Sequence, residues 1–275
     1  MRRMSHLTAS PVKRLAAVTA LALCLLSAGC AAADSPRNTP IVKVVKEWAS
    51  SVVNISTERV VTLQQHPYWR AYGGAFDEFF NQNAQGTIST MKLKGIGSGV
   101  VVSKDGLIVT NAHVVNMATK VYAIFSDGTT FEAAVPAASP RDDIAILKID
   151  PRKELKPVRF ADDAMIGETV VSIGNPFGLG NSVSSGIISG TDRSFSAPEA
   201  GLNYTGLIQT DASINIGSSG GALLNLEGKL VGINLAVVQG SQSIGFAIPS
   251  SRIRDILKQY EDYKREHPAV AVPVQ

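Results

Sequence analysis

Two adjacent serines, Ser218 and Ser219, stand before a glycine pair in "DASINIGSSGGALLN", residues 211–225. A serine hydroxyl is a weak nucleophile until a base takes its proton and a third group orients that base. Beyond residue 30 the chain offers three histidines, His66, His113 and His267. His66 lies in an aromatic-rich stretch and His267 in a polar tail, whereas His113, in "IVTNAHVV", follows a strand-like run that can hold a side chain firmly. "DDIAILKID" supplies the acid: Asp143 adjoins the apolar run and is better placed than Asp142 to orient an imidazole from the mouth of a buried strand. Taken singly, each feature has an ordinary explanation: a Ser/Gly turn, a structural histidine, a charged strand end. Taken together, in the order His113, Asp143, Ser219, they have the composition of a serine hydrolase site. "GSSGG" also fits G-x-S-x-G, but that elbow needs a helix after the serine and a histidine later in the chain. Here "GALLNLEGKLVGI" reads as a hairpin and His267 alone comes later.

These residues need rigid elements beneath them. From Gly97 to Ile149 the chain runs in short apolar segments cut by turn signals, with Asp105-Gly106 and Asp127-Gly128 as hairpin turns. "PRKELKPVRF" interrupts the pattern as a linker, 151–159. A second set follows, including "ETVVSIGNPFG", "LIQTDASIN" and "SIGFAIP". Such spacing, with almost no helical periodicity between the runs, predicts two all-β units, each a barrel or a sandwich, over 40–150 and 160–248. A short helix precedes the first unit, with Ile41, Val44, Val45 and Trp48 at helical spacing. A second, 249–267, closes the chain, with Ile253, Ile256, Leu257 and Tyr260 on one face behind a Ser250/Ser251 cap. A Gly- and Asn-broken aromatic stretch within 63–93 is expected to be a long loop, serving either as a local cluster on its own barrel or as a lid or subunit contact.

Composition narrows the function classes. Residues 1–29 place basic side chains ahead of an apolar run from Leu15 to Ala28, the layout of a secretory signal and too short for a membrane span. That segment carries four of the 26 basic residues and none of the 23 acidic ones, so the remainder is near neutral and offers no basic face for nucleic acid. "LLSAGC" resembles a bacterial lipobox, which would make Cys30 a lipid-modified membrane anchor; Ala31-Ala32-Ala33 offers ordinary cleavage instead. A polar leader, 30–39, follows, and 268–275 form a tail. Both cysteines, Cys24 and Cys30, lie in or at the end of the signal, so the exported domain is expected to fold without a disulfide. No metal or cofactor is expected: there is no paired-histidine motif, and "GIGSG" and "GNPFGLG" lack the dinucleotide spacing and setting.

"TNAHVV", "DDIAILKI", "SIGNPFGLGNSVSSGIISG", "IQTDASINIGSSGGALLNLEGKLVGIN" and "SIGFAIPS" together resemble the protease domain of the HtrA/Deg family, chymotrypsin-like serine endopeptidases of the bacterial envelope. The similarity spans about residues 40–260. It implies two six-stranded antiparallel β-barrels with the site between them, and gives His113, Asp143 and Ser219 the roles of base, orienting acid and nucleophile. It implies an oxyanion hole from the amides of Gly217 and Ser219. It also places Ser213, Ile214, Ile233, Asn234 and Leu235 around the primary specificity pocket. With no acidic residue at that pocket's base, cleavage after small or medium aliphatic residues is expected.

The resemblance further implies unfolded or mislocalised proteins as substrates, a periplasmic location with the outer membrane favoured by Ala31 after Cys30, and a homotrimer. The chain departs from the family in three ways. Twenty-six residues after Pro249 are too few for the PDZ domain that usually follows, and Ile216 and Ser218 stand where the family has Pro and Asn. In trypsin-like zymogens the position of Ser218 is an aspartate that captures a new N-terminus. A neutral serine predicts switching by loop rearrangement instead. The competing reading is a peptide-binding, chaperone-type quality-control protein with low or conditional proteolysis.

Overall fold

The computed structural model describes residues 35–61, 91–176, 180–197, 202–215, 217–235 and 243–267. The segment expected to be a signal, Cys30, most of the aromatic stretch, Ile216 and the tail beyond His267 lie outside them. Helix α1, Pro40–Trp48, starts where Thr39 Oγ1 accepts from the Val42 amide at 3.3 Å, and it buries Val44 and Trp48. A 3-10 turn at Ala49–Ser51 leads into the first sheet.

That sheet contains β1 Val52–Val61, β2 Met91–Val101, β3 Leu107–Thr110, β4 Lys120–Ile124, β5 Thr130–Glu132, β6 Ala134–Ser139 and β7 Ile144–Lys148, in the order β5-β4-β1-β2-β3-β7-β6. Only Ala133 separates β5 from β6, and its amide donates to Val121 O at 2.8 Å. Residues 130–139 therefore act as one bent strand, pairing with β4 at its start and with β7 at its end, and the sheet closes as a six-stranded barrel. The β1–β2 pairing runs to Val61↔Met91, so the last three residues of the expected loop 63–93 are strand. The two Asp-Gly turns connect β2 to β3 and β4 to β5, with Gly106 at φ +97° and Gly128 at φ +82°.

The second sheet contains β8 Arg159–Phe160, β9 Thr169–Gly174, β10 Ser182–Ala197, β11 Leu202–Thr210, β12 Ala222–Asn225, β13 Lys229–Leu235 and β14 Gly245–Pro249. The order β12-β9-β10-β11-β14-β13 closes on itself through a β12–β13 pairing, again six strands. β8 adds a two-residue parallel pairing to β13, the one departure from antiparallel order among the described residues. Upstream of it, the segment read as a linker packs down: Leu155 and Val158 are buried, and the Val158 amide donates to Val101 O at 3.0 Å.

Helix α3, Ser250–Glu266, ends the described chain and buries Ile253. Its expected serine cap is absent. Pro249 is the N-cap residue and makes no side-chain bond, while Ser250 Oγ donates instead to Ala161 O at 3.0 Å, a buried carbonyl with a stronger claim on the hydroxyl.

The hydrophobic interior explains the unbroken apolar runs. Along β7, Ala145 and Leu147 pack inside the first barrel with Val53, Ile55 and Ile108, whereas Ile144 joins a cluster that reaches the second barrel's Val171, Ile173, Leu224 and Ile233. Both faces of the strand are covered, so "IAIL" shows no alternation. Each fully buried Ile or Leu contributes about 1.5–3 kcal/mol, and the shared cluster ties the barrels together.

Candidate active site

β3 ends at Thr110 and Asn111 turns the chain into the one-turn helix α2, Ala112–Val115, which carries His113. β7 begins one residue after Asp143, whose backbone lies at φ +51°, a left-handed conformation that Asp and Asn tolerate better than most residues. Asn111 Nδ2 donates to Asp143 O at 3.0 Å, locking the two segments together. The His113 amide donates to Asp143 Oδ1 at 2.9 Å, and His113 Nδ1 lies 2.7 Å from Oδ2.

Asp143 is 4% exposed. An ionised carboxylate only accepts, so Nδ1 is the ring nitrogen that donates to it, and in the neutral tautomer this leaves Nε2 as the acceptor. Asp142 is engaged elsewhere: it accepts from Ser139 Oγ at 2.7 Å, and Arg252 Nε lies 3.9 Å away. A third donor to Asp143 comes from the other barrel, where the Tyr204 hydroxyl reaches Oδ2 at 3.2 Å. No sequence signal marked Tyr204, an ordinary β-strand aromatic in "LNYTGLIQT".

The turn bearing Ser219 is bound to both barrels. Ser219 O accepts from the Ser98 amide at 2.8 Å, and the Gly220 amide donates to Asn234 O at 3.0 Å. Gly220 lies at φ +81°, and a Cβ there would fall 2.2 Å from Ser98 O, 2.4 Å from Thr110 Oγ1 and 3.2 Å from the Asn111 nitrogen. The absent side chain thus seats the Ser219 turn directly on the residues that lead into His113. Gly217, at φ +87°, presses on Pro176, whose Cβ would stand 2.4 Å from a side chain there. Ser218 has a different place: it packs against Gly174, where a Cβ would lie 3.0 Å from both its Cα and its Oγ. Its amide donates to Asn215 O at 2.9 Å.

The residues assigned to the specificity pocket divide into two groups. Ser213 is exposed, its carbonyl accepting from Ser184 Oγ at 2.7 Å, and Ile214 is half-buried, 3.0 Å from where a Gly245 Cβ would stand. Ile233 and Leu235 instead join the core shared by the barrels, and Asn234 Nδ2 donates to Ser172 Oγ at 3.0 Å. In a small closed barrel, packed against a second, both faces of β13 are covered, so these three side chains face the interior and not an open pocket. The nearby carboxylate of Asp211 is occupied by the Ile187 amide at 2.7 Å.

The chain is similar to known proteases in sequence and in fold. The family model "Trypsin-like peptidase domain" matches residues 97–233. The chain is 45% identical over 188 residues to the periplasmic serine endoprotease DegP of Escherichia coli K12, covering 66% of this chain and 39% of DegP. It is 38% identical over 221 residues to the putative serine protease HhoA of Synechocystis, covering 78% of this chain and 55% of that protein. The solved HtrA-type protease AlgW with a decapeptide superposes with a TM-score of 0.66 at 34% identity, covering 81% of this chain and 67% of that one.

Proposed function

The chain belongs to the HtrA-type serine proteases of trypsin-like fold, and from that premise we propose that it is a serine endopeptidase in which Ser219 is the nucleophile, His113 the general base and Asp143 the orienting acid. The observation that carries the reading is the Asp143 carboxylate, bound at one oxygen by the His113 amide and at the other by Nδ1, 2.9 and 2.7 Å away. That grip fixes ring and tautomer, which is what lets Nε2 take the Ser219 proton during attack on a peptide carbonyl. The tetrahedral oxyanion is then stabilised by the amides of Gly217 and Ser219. The imidazolium next returns its proton to the leaving amine, and water releases the acyl group from Ser219 by the same steps.

The P1 side chain enters beside Ser213 and Ile214, and the absence of charge on these two residues supports cleavage after Val, Ala or Ile. Unfolded or mislocalised envelope proteins are the substrates, in a periplasmic homotrimer held at the membrane through lipidated Cys30. DegP supports the periplasmic part of this reading by its name. Fluorophosphonate labelling of the purified full chain tests the chemistry. Labelling and casein degradation that both vanish in Ser219→Ala are expected. A chain that suppresses aggregation but neither labels nor cleaves is a peptide-holding protein instead, and a peptide panel cut after Arg or Lys overturns the pocket assignment.

A further inference from the structure

We infer that Ser98 is a positioning residue of the oxyanion hole, a barrel-1 hydroxyl that fixes the carbonyl end of Gly217 and so limits rotation of the residue whose amide is proposed to bind the oxyanion. The inference rests on the proposed roles of the Gly217 and Ser219 amides. Ser98 lies between two glycines on β2 and is fully buried. Its Oγ donates to Gly217 O at 2.7 Å and accepts from the Asn175 amide at 2.8 Å. Its own amide donates to Ser219 O at 2.8 Å. One residue of the first barrel thus binds the carbonyls of Gly217 and Ser219, the two residues whose amides are proposed to bind the oxyanion, on either side of Ser218.

The Asn175 amide occupies one lone pair of the hydroxyl, so the rotor is set with its single proton on Gly217 O. The peptide joining Gly217 to Ser218 is gripped at its other end too, where the Ser218 amide donates to Asn215 O at 2.9 Å. Gly217 needs that grip. Glycine adopts φ +87° without steric cost, and for the same reason it leaves that conformation easily, with no Cβ to restrain rotation. On one side Pro176 limits it by contact, and Ser98 Oγ supplies the directional restraint. Asn175 and Pro176 follow β9, so the hydroxyl links the end of a second-barrel strand, a first-barrel strand and the oxyanion turn at a single atom.

Ser98→Ala tests this by steady-state kinetics on an aliphatic-P1 peptide and by affinity for a peptide boronate, which mimics the tetrahedral intermediate. Loss of one oxyanion donor outright lowers kcat by about 10²–10³, and a donor left in place but loosened should cost about tenfold to hundredfold. KM should stay within about threefold, and boronate affinity should fall with kcat. Ser250→Ala, which removes another buried serine bond at 3.0 Å remote from the turn, controls for general damage and should keep kcat. If Ser98→Ala does not fold, Ser98→Cys keeps the volume with a weaker donor and acceptor and should show the same split at smaller amplitude. A folded Ser98 variant matching wild type in kcat and boronate affinity, or changed in KM alone, overturns the inference while the proposed protease stands. A wild-type chain with no turnover overturns both.

Discussion

The Tyr204 hydroxyl on β11 donates to Asp143 Oδ2 at 3.2 Å, so the second barrel holds the carboxylate that the first barrel presents to His113. The same face of the second unit holds the neighbouring residue: Arg252 Nη2 donates to Thr205 O at 2.8 Å while its Nε lies 3.9 Å from Asp142. Tyr204→Phe keeps a ring that is 8% exposed and removes only the donor. A hydrogen bond to a charged group is worth about 1.5–3 kcal/mol, and with two His113 contacts retained the loss in kcat should be about three- to tenfold. Kinetics of the folded variant decide it, and an unchanged kcat would mean that the hydroxyl does not help to orient the acid.

Asp142 and Asp143 should separate sharply. At φ +51° Asn is as acceptable as Asp, so Asp143→Asn keeps the backbone but offers His113 Nδ1 an amide that favours the wrong tautomer. In another serine protease such a change costs about 10⁴ in kcat, and a loss on the order of 10³–10⁴ is expected here. Asp142→Asn should stay within about threefold, since its Ser139 partner at 2.7 Å can still donate to an amide oxygen. Equal losses in the two variants would reverse the assignment of the acid.

Two glycines with nearly the same backbone should respond very differently to alanine. Gly128 at φ +82° has nothing within 4 Å of a would-be Cβ, so Gly128→Ala carries only the left-handed penalty of about 1–2 kcal/mol. Gly220 at φ +81° adds a Cβ 2.2 Å from the Ser98 carbonyl, which belongs to a strand and cannot step aside. Gly220→Ala should cost about 4 kcal/mol or more, the range reserved for severe lesions. Urea midpoints at constant m measure the difference.

At acid pH a surface pair should show itself. The Lys153 ammonium, then the Thr129 side chain and amide, hold the Asp127 carboxyl well below the usual carboxylate range. A carboxyl lowered in the folded state adds stability above its unfolded value, near 3.8, and that contribution is lost as pH falls toward the folded one. Lys153→Met should return the Asp127 carboxyl NMR titration toward 3.8 and leave stability at neutral pH almost unchanged, because the pair is exposed. An Asp127 titration unmoved by Lys153→Met would assign the lowering to Thr129.

Strand runs, Asp-Gly turns and the order of His113, Asp143 and Ser219 were legible in the sequence because each depends on local chemistry: apolar period, turn conformation, residue type. Asp143 could be preferred to Asp142 because adjacency to "IAIL" marks which of the two enters the interior. The glycines around Ser219 single it out from Ser218 as the proposed nucleophile, and Gly217 and Gly220 sit at φ +87° and +81°.

Other features depended on contacts between distant segments. Ser98 and Gly217 are 119 residues apart, and Tyr204 and Asp143 are 61 apart, yet each pair meets at hydrogen-bond distance. Nothing in "GIGSG" or "LNYTG" marks such a partner, because a hydroxyl finds its acceptor through barrel closure and not through spacing along the chain. The same holds for Ile233, Asn234 and Leu235, where a strand near the site is legible but the direction of its side chains is set by what covers each face. The sequence by itself determined the elements of the fold and the residue types offered for the proposed chemistry. Tertiary structure alone decided which groups hold Asp143 and the Gly217–Gly220 turn in place, because those groups meet only when two closed barrels pack against each other.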